Sequence, residues 1–172
     1  NNDVAFGQAG NDVLLGGDGN DKLSGDDPGR IPENLAGDDY IDGGAGNDQL
    51  FGNAGSDTLY GGAGDDLLEG DDSLISFGNQ WNNYLDGGAD TDIIFGDGGD
   101  DILIGGTGND FLYGGSGQDT YLFNRGDGSD LITEIIGENN IFLFGEGISA
   151  SDITLRLGSL MLDLGNGDAV HI

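Results

Sequence analysis

The chain of 172 residues contains no cysteine, one histidine and only four lysine and arginine residues together. The absence of cysteine excludes disulfides, zinc–thiolate centres and cysteine nucleophiles. The single histidine, His171, cannot build a histidine-based catalytic triad. Four cationic side chains cannot neutralise a phosphate backbone, so we expect no nucleic-acid partner. No apolar run approaches the roughly 20 residues of a spanning helix, so we expect no membrane insertion.

Glycine and acidic residues are abundant instead. The chain has 37 glycines, and 33 Asp and Glu residues give it a net charge of −29. Collagen is excluded because there are only two prolines. Two interpretations remain, a disordered acidic tail and a domain held together by hard cations. Because the chain begins with Asn1 rather than Met, we expect a segment of a longer protein, with an effector domain upstream.

An internal repeat of nine residues favours the ordered domain. A clear copy, GGAGNDQLF, begins at Gly43, and others begin at Gly16, Gly61, Gly105 and Gly114. Position eight of the unit is apolar in every copy, a regularity that a disordered tail has no reason to keep. Position six is aspartate in nearly every copy: Asp12, Asp21, Asp39, Asp48, Asp57, Asp66, Asp92, Asp101, Asp110 and Asp119.

The repeat predicts an all-β fold. Positions seven to nine form a very short strand with one side chain turned inward, and the glycine-rich positions one to six form a turn. Two units make one coil of about 18 residues, with a strand on each side and a turn at each end, and stacked coils place parallel strands about 4.8 Å apart. We therefore predict a parallel β-roll built from two sheets of short strands.

The position-six aspartates point to calcium. In such a roll, aspartates one coil apart face each other, and the turns expose backbone carbonyls. Calcium prefers about six to eight oxygen ligands of these two kinds. An Asx-turn, in which the side chain caps its own backbone, is the alternative. It would accept asparagine equally well, yet asparagine prefers position five, as at Asn47. We therefore interpret position six as a calcium ligand.

The pattern G-G-x-G-x-D-x-U-x, from about Gly7 to Thr133, resembles the calcium-binding repeat of the RTX family. That family comprises secreted bacterial toxins, proteases, lipases and adhesins. The resemblance implies several bound Ca²⁺ ions, about five to eight. It also implies a secreted, extracellular or cell-surface location, and the type I secretion machinery as a partner of the parent protein.

The resemblance also implies the ligands of each ion. One turn gives its position-six aspartate and the carbonyls of positions two and four, and the turn one coil later gives its aspartate and the carbonyls of positions one and three. The implied sets pair Gly44, Gly46 and Asp48 with Gly61, Ala63 and Asp66; Gly17, Gly19 and Asp21 with Ala36 and Asp39; Gly88, Asp90 and Asp92 with Gly105, Thr107 and Asp110; and Asp97, Gly99 and Asp101 with Gly114, Ser116 and Asp119. The remaining implied ligands are Asp12, Gly37, Gly52, Ala54, Asp57 and Asp130.

Two insertions, 25–36 and 70–82, interrupt the array. Arg30 and Asn83 fall where position-six aspartates are expected, so the ligand sets around them would each lack one carboxylate. If the insertions loop out entirely, the pairing around them shifts by one unit. Their acidic residues have two interpretations, additional ligands or solvated loop side chains, and we favour the second. These residues are Asp26, Asp27, Asp71 and Asp72.

After the repeats of 1–133, residues 134–172 are rich in β-strand patterns and resemble the segment that follows RTX arrays. We predict that this segment caps the roll, because a solenoid end exposes unpaired strand edges. We also expect residues 141–144 to cover an apolar patch formed by three successive strand exteriors, which begin at Ile93, Ile102 and Phe111.

No nucleophile–base pair is present, so we predict a calcium-dependent folding and secretion module rather than an enzyme. The alternative is an adhesin or carbohydrate-binding module that uses the insertions or the cap.

Overall fold

The computed structural model describes residues 1–26, 35, 37–71, 81–134, 139–146, 148, 154–156, 161–165 and 168–171. Its strands are β1 (Val4–Phe6), β2 (Val13–Asp18), β3 (Lys22–Ser24), β4 (Tyr40–Ala45), β5 (Gln49–Asn53), β6 (Thr58–Ala63), β7 (Leu67–Asp71), β8 (Tyr84–Ala89), β9 (Ile93–Gly98), β10 (Ile102–Thr107), β11 (Phe111–Ser116), β12 (Thr120–Phe123), β13 (Ser129–Thr133), β14 (Ile141–Phe144), β15 (Thr154–Arg156), β16 (Met161–Gly165) and β17 (Asp168–His171).

Successive strands alternate between two sheets. One sheet has ten strands in the order β1-β3-β5-β7-β9-β11-β13-β17-β16-β15, and the other has seven in the order β14-β12-β10-β8-β6-β4-β2. Neighbouring strands of the repeats are parallel, and an uninterrupted coil advances by two repeat units, as in the pairing of Tyr40 with Thr58. The predicted parallel β-roll is therefore confirmed.

The core is a single column of position-eight side chains between the two sheets. Because side chains alternate along a strand, the middle residue of each short strand points inward. Twelve such residues are at most 7% exposed, which confirms the prediction for this position. They are Leu14, Leu23, Ile41, Leu50, Leu59, Leu68, Leu85, Ile94, Leu103, Leu112, Tyr121 and Ile132.

Both insertions leave the stacking of the coils intact. Val13 pairs with Tyr40 and Thr58 pairs with Tyr84, so these partners lie further apart in the sequence than the two repeat units of an uninterrupted coil. Each insertion therefore adds residues between paired strands without breaking the stack, and the pairing around it shifts by one unit. The ends of the predicted insertions remain in the roll, because Gly25 donates to the Phe51 carbonyl. Arg30 lies outside the described residues.

The C-terminal region continues both sheets rather than forming a separate layer. Strand β14 pairs in parallel with β12 and closes the seven-stranded sheet. Strand β17 pairs in parallel with β13, and β16 and β15 follow in antiparallel order. Both sheets thus extend past residue 133. Within the described ranges, no helix has the length and apolar character needed to cross a membrane.

The predicted apolar patch is divided between the two outer faces. Ile93 pairs with Phe111 in the ten-stranded sheet, whereas Ile102 lies in the seven-stranded sheet beside Tyr84. The expectation of one patch of three successive strands is therefore wrong, because successive strands alternate between sheets. Residues 141–144 also do not lie over these faces, since they form the edge strand β14.

Candidate metal centre

The turns form two rows, one along each end of the coils. The first row follows strands of the ten-stranded sheet and comprises turns 7–12, 25–39, 52–57, 70–83, 96–101 and 114–119. It contains both insertions, and we name it the interrupted row. The second row follows strands of the seven-stranded sheet and is named the regular row. It comprises turns 16–21, 43–48, 61–66, 87–92, 105–110 and 124–130.

In the regular row, hydrogen bonds join the position-six aspartates of successive coils. Each backbone N–H donates to Oδ1 of the aspartate one coil later, over 2.6–3.1 Å. Oδ1 thus links two coils, which is a different role from the Asx-turn capping considered above. The linked residues are Asp3, Asp21, Asp48, Asp66, Asp92, Asp110 and Asp130.

The interrupted row has the same arrangement, with N···O distances of 2.8–3.0 Å. Two amides stand in this series, Asn83 after the second insertion and Asn140 at the C-terminal end. Both accept through Oδ1, so an amide can make the link between coils. The linked residues are Asp12, Asp39, Asp57, Asn83, Asp101, Asp119 and Asn140.

The second carboxylate oxygen, Oδ2, explains why aspartate is preferred. In nine of the position-six aspartates this atom is buried and has no hydrogen-bond partner. A buried anionic oxygen without a hydrogen-bond donor is costly, so such atoms indicate positions suited to a cation. These aspartates are Asp12, Asp21, Asp39, Asp48, Asp57, Asp66, Asp92, Asp101 and Asp110.

For eight of these nine aspartates, all except Asp110, a backbone carbonyl oxygen lies beside the same glycine as the carboxylate Oδ2. A Cβ atom built on Gly7 would lie 2.6 Å from Asp12 Oδ2 and 2.6 Å from the carbonyl oxygen of Gly25, one coil later. On Gly61 it would lie 2.5 Å from both Asp66 Oδ2 and the Gly87 carbonyl oxygen. Position one must therefore be glycine, and the space beside it is shared by one carboxylate oxygen and one carbonyl oxygen.

These carboxylate and carbonyl oxygens suit calcium, which binds oxygen ligands of both kinds at about 2.3–2.6 Å. No three carboxylate or imidazole groups of the described residues converge on one point. A cation in a turn would therefore need backbone carbonyls as well as aspartates, which matches the ligand sets that the family resemblance implies. The turn residues therefore fit calcium, because their unpartnered Oδ2 atoms and neighbouring carbonyl oxygens face the same space beside the position-one glycine.

Burial and mutual repulsion also favour a cation in each row. Burial, with neighbouring aspartates adding to it, raises the pKa of Asp57 and of Asp92 to about 8. The pKa of Asp66 and of Asp101 rises to about 7, with burial again the largest cause. Negative charge in these positions is therefore unfavourable without a compensating positive charge.

Most of the predicted ligand pairs are brought together. Asp39 lies next to Asp57, Asp48 next to Asp66, Asp92 next to Asp110, and Asp101 next to Asp119. The pairing of Asp21 with Asp39 is wrong, because Asp21 stacks on Asp48 within the regular row, whereas Asp39 stacks on Asp12 in the interrupted row. Ala36 lies outside the described residues.

The residues predicted to supply carbonyls are divided between the rows. Those in the regular row are Gly17, Gly19, Gly44, Gly46, Gly61, Ala63, Gly88, Asp90, Gly105 and Thr107. Those in the interrupted row are Gly37, Gly52, Ala54, Asp97, Gly99, Gly114 and Ser116. Their roles as ligands remain predictions.

Two acidic residues of the insertions are not solvated, contrary to the expectation from sequence. Asp26 is 2% exposed and Asp71 is 1% exposed. Both occupy position two of their turns and belong to the roll. Asp27 and Asp72 lie outside the described residues.

The sequence interpretation also missed two members of the rows. Asp3 precedes β1 and bonds to Asp21, and its distance of nine residues from Asp12 is the signal that identifies it. Asn140 accepts a hydrogen bond from Asp119, but 21 residues separate the two, so the repeat period gives no signal for it.

The chain is similar both to a known structure and to a known protein family. The extracellular lipase LipA from Serratia marcescens is 21% identical, with a TM-score of 0.31, over 98% of this chain and 37% of its own length. No curated protein has a significant match. The family model of the RTX calcium-binding nonapeptide repeat matches residues 1–27, 35–68, 69–103 and 95–132. The chain therefore belongs to the family of RTX calcium-binding nonapeptide repeat proteins.

Proposed function

We propose that this chain is the part of a larger, type I-secreted protein that folds when it meets extracellular calcium and then stabilises the C-terminal region of that protein. The observation that carries this proposal is the buried Oδ2 atom without a partner, repeated along both rows of turns. The RTX repeat is a calcium-binding module and not a catalytic one. Catalysis, if the parent protein has it, belongs to an upstream domain.

The charge of the chain explains why folding would depend on location. At a net charge of −29 and without a cation, the stacked aspartates repel one another and lose their hydration on burial. Bound calcium supplies the compensating positive charge. Extracellular sites typically have Kd values of about 10⁻⁴–10⁻³ M, close to the concentration outside cells. Binding to the folded state alone favours folding by mass action.

Far-UV circular dichroism of the full chain tests the proposal. In excess chelator we expect the spectrum of a disordered chain, and in millimolar calcium a β-sheet spectrum. Magnesium should not replace calcium, because it requires a small octahedral shell and retains its waters. Calorimetry in the same buffer should count several ions, about five to eight per chain. A β-sheet spectrum that persists in chelator would contradict the proposal.

A row of tyrosines favours carbohydrate binding as a second candidate function. Tyr40, Tyr60 and Tyr84 lie side by side on the outer face of the seven-stranded sheet, with ring centroids 5.5 and 5.7 Å apart. Asp42 and Asp86 pair with Tyr60 on either side. Tyrosine combines an apolar ring with a polar hydroxyl, which suits amphipathic ligands. A glycan array in the presence of calcium tests this second function, with Tyr60→Ala as the control. If no glycan binds in a way that depends on Tyr60, carbohydrate binding by this face is excluded.

A further inference from the structure

One turn of the interrupted row has an amide where the other five have aspartate. Asn83 occupies position six of turn 70–83 and keeps both links between coils. Its Oδ1 accepts from the Asp57 backbone N–H at 2.8 Å, and its own N–H donates to Asp101 Oδ1 at 2.8 Å. The stacking of the coils at this turn therefore does not require a carboxylate.

The same substitution removes an anionic oxygen from the turn. A Cβ built on Gly70 would lie 2.6 Å from Asn83 Nδ2 and 2.9 Å from the carbonyl oxygen of Gly96. Nδ2 thus occupies the place that Oδ2 has beside Gly7 and Gly61. An amide NH₂ group has two donors and no lone pair to offer a cation. Position six of this turn cannot serve as a carboxylate ligand.

A carboxylate enters the turn from position two instead. Asp71 ends strand β7, is 1% exposed, and accepts at Oδ1 a hydrogen bond of 3.1 Å from Asn83 Nδ2. Its Oδ2 is buried and has no hydrogen-bond partner. The charge of Asp71 also lies close enough to Asp57 and Asp101 to interact with both.

We propose that Asp71 is a calcium ligand that replaces the carboxylate missing at Asn83. This inference rests on the proposed calcium-dependent folding. The Asn83 amide holds Asp71 through Oδ1 and thereby directs Oδ2 toward the cation between the neighbouring coils. The negative charge of this turn is kept and is moved from position six to position two.

An exchange of the two residues tests the assignment. Asp71→Asn retains an oxygen that can accept from Asn83 but removes the negative charge. In the double variant Asp71→Asn/Asn83→Asp, the amide introduced at 71 can donate to the carboxylate introduced at 83, so the hydrogen bond is kept with reversed polarity. Glu146→Gln is the matched control, because it removes one charge from an exposed residue outside both rows of turns.

The measurements are the number of calcium ions bound, by calorimetry, and the calcium midpoint of folding, by circular dichroism. We expect Asp71→Asn to bind about one ion fewer and to fold at higher calcium, and the double variant to recover the wild-type stoichiometry. A single variant that matches wild type, or a double variant no better than the single, would overturn the assignment. Absence of calcium uptake by the wild type would instead contradict the proposed function itself.

Discussion

The two rows of turns differ although one repeat builds both. Position two of the regular row is glycine in five successive turns, at Gly17, Gly44, Gly62, Gly88 and Gly106. The first five turns of the interrupted row have side chains there instead: Gln8, Asp26, Asn53, Asp71 and Asp97. Both insertions also lie in the interrupted row. One end of each coil is thus uniform, and the other end is where the repeat varies.

Backbone conformation shows why position two is usually glycine. Gln8, Asn53 and Asp97 have positive φ values of 80°, 77° and 73°. This left-handed region costs most residues roughly 1–2 kcal/mol. Asn53 offsets the cost, since its Nδ2 donates to Ser24 Oγ at 2.9 Å and to the Asp26 carbonyl at 3.1 Å. At Asn53, the departure from glycine is therefore offset by hydrogen bonds that glycine could not make.

The largest effect that we expect comes from removing the strands that end both sheets. A chain that stops at Thr133 lacks β14 and β17, so β12 and β13 become open edges. It also loses Phe142 and Phe144, which pack against the core column. We expect loss of calcium-driven folding, or aggregation, by circular dichroism and size-exclusion chromatography.

A second truncation, after residue 146, separates the two sheets. It keeps β14 on the seven-stranded sheet but removes β15–β17 from the ten-stranded sheet. We expect partial recovery of folding relative to the shorter chain. A soluble monomer ending at Thr133 with an unchanged calcium midpoint would show that the C-terminal strands are dispensable.

Removing one position-six carboxylate should have the next largest effect. Asp48→Ala in the regular row and Asp101→Ala in the interrupted row each delete the Oδ1 that accepts from the preceding coil, at Asp21 and Asn83 respectively, and a buried Oδ2. We expect each to raise the calcium midpoint about tenfold, which corresponds to about 1.4 kcal/mol. Asp27→Ala, which changes an acidic residue of the first insertion and not a position-six aspartate, should alter it little. Equal shifts of the calcium midpoint for all three variants would contradict the assignment of position six as a calcium ligand.

The contrast between the rows also explains how far the sequence predicts this structure. The nine-residue period predicts the strands, the buried position-eight column and the facing of Asp48 with Asp66. It cannot say whether an insertion replaces a turn or loops out of it. That choice changes the partner of Asp21 from Asp39 to Asp48. It depends on whether the flanking strands remain in register, which is a property of the stack rather than of the local sequence.

Solvation of the insertion residues was unpredictable for a related reason. Asp26 and Asp71 stand in acidic, interrupted segments, where exposure is the ordinary state of a carboxylate. Their burial follows from the first residues of each insertion staying bonded to the neighbouring coil, since Asp71 pairs with Asn53 and the Asp26 N–H donates to the Gly52 carbonyl. The arrangement of the stack also explains the divided apolar patch. Successive strands alternate between the two sheets, so Ile93 and Ile102, although close in sequence, lie on different outer faces.

A smaller effect is expected from pH in the absence of calcium. Burial raises the pKa of Asp57 and of Asp92 to about 8, above the unfolded value near 3.8. The folded state therefore binds more protons, and its stability is greatest below that unfolded value and decreases as pH rises toward the folded value. In chelator, we expect the β-sheet signal to increase between about pH 8 and pH 5, still above the pI of about 4.1.

Calcium should reverse this dependence, because the ion binds the deprotonated carboxylates and competes with protons. The calcium midpoint should then rise as pH falls. Titrations monitored by circular dichroism at several pH values, with and without chelator, measure both trends. A chelated chain whose spectrum is unaffected by pH would indicate that these carboxylates are not buried together.

The smallest expected effect lies at the point where the regular row itself departs from glycine. Asp90 occupies position four with φ of 81°, whereas Gly19, Gly46 and Gly64 have φ between 122 and 137° at that position. Its charge also lies close to Asp66 and helps to raise the pKa of that carboxyl.

Asp90→Gly removes this left-handed strain and this repulsion, and it keeps the backbone N–H that donates to the Thr107 carbonyl at 2.8 Å. The added flexibility of the unfolded chain opposes the gain, so we expect a net stabilisation of only about 0.5 kcal/mol. Asp90→Asn is the matched control, because asparagine tolerates the left-handed region and lacks the charge. If Asn alone reproduces the gain in urea unfolding at saturating calcium, repulsion rather than backbone strain limits this turn. If neither variant gains stability, the regular row tolerates a side chain here as readily as the interrupted row does at position two.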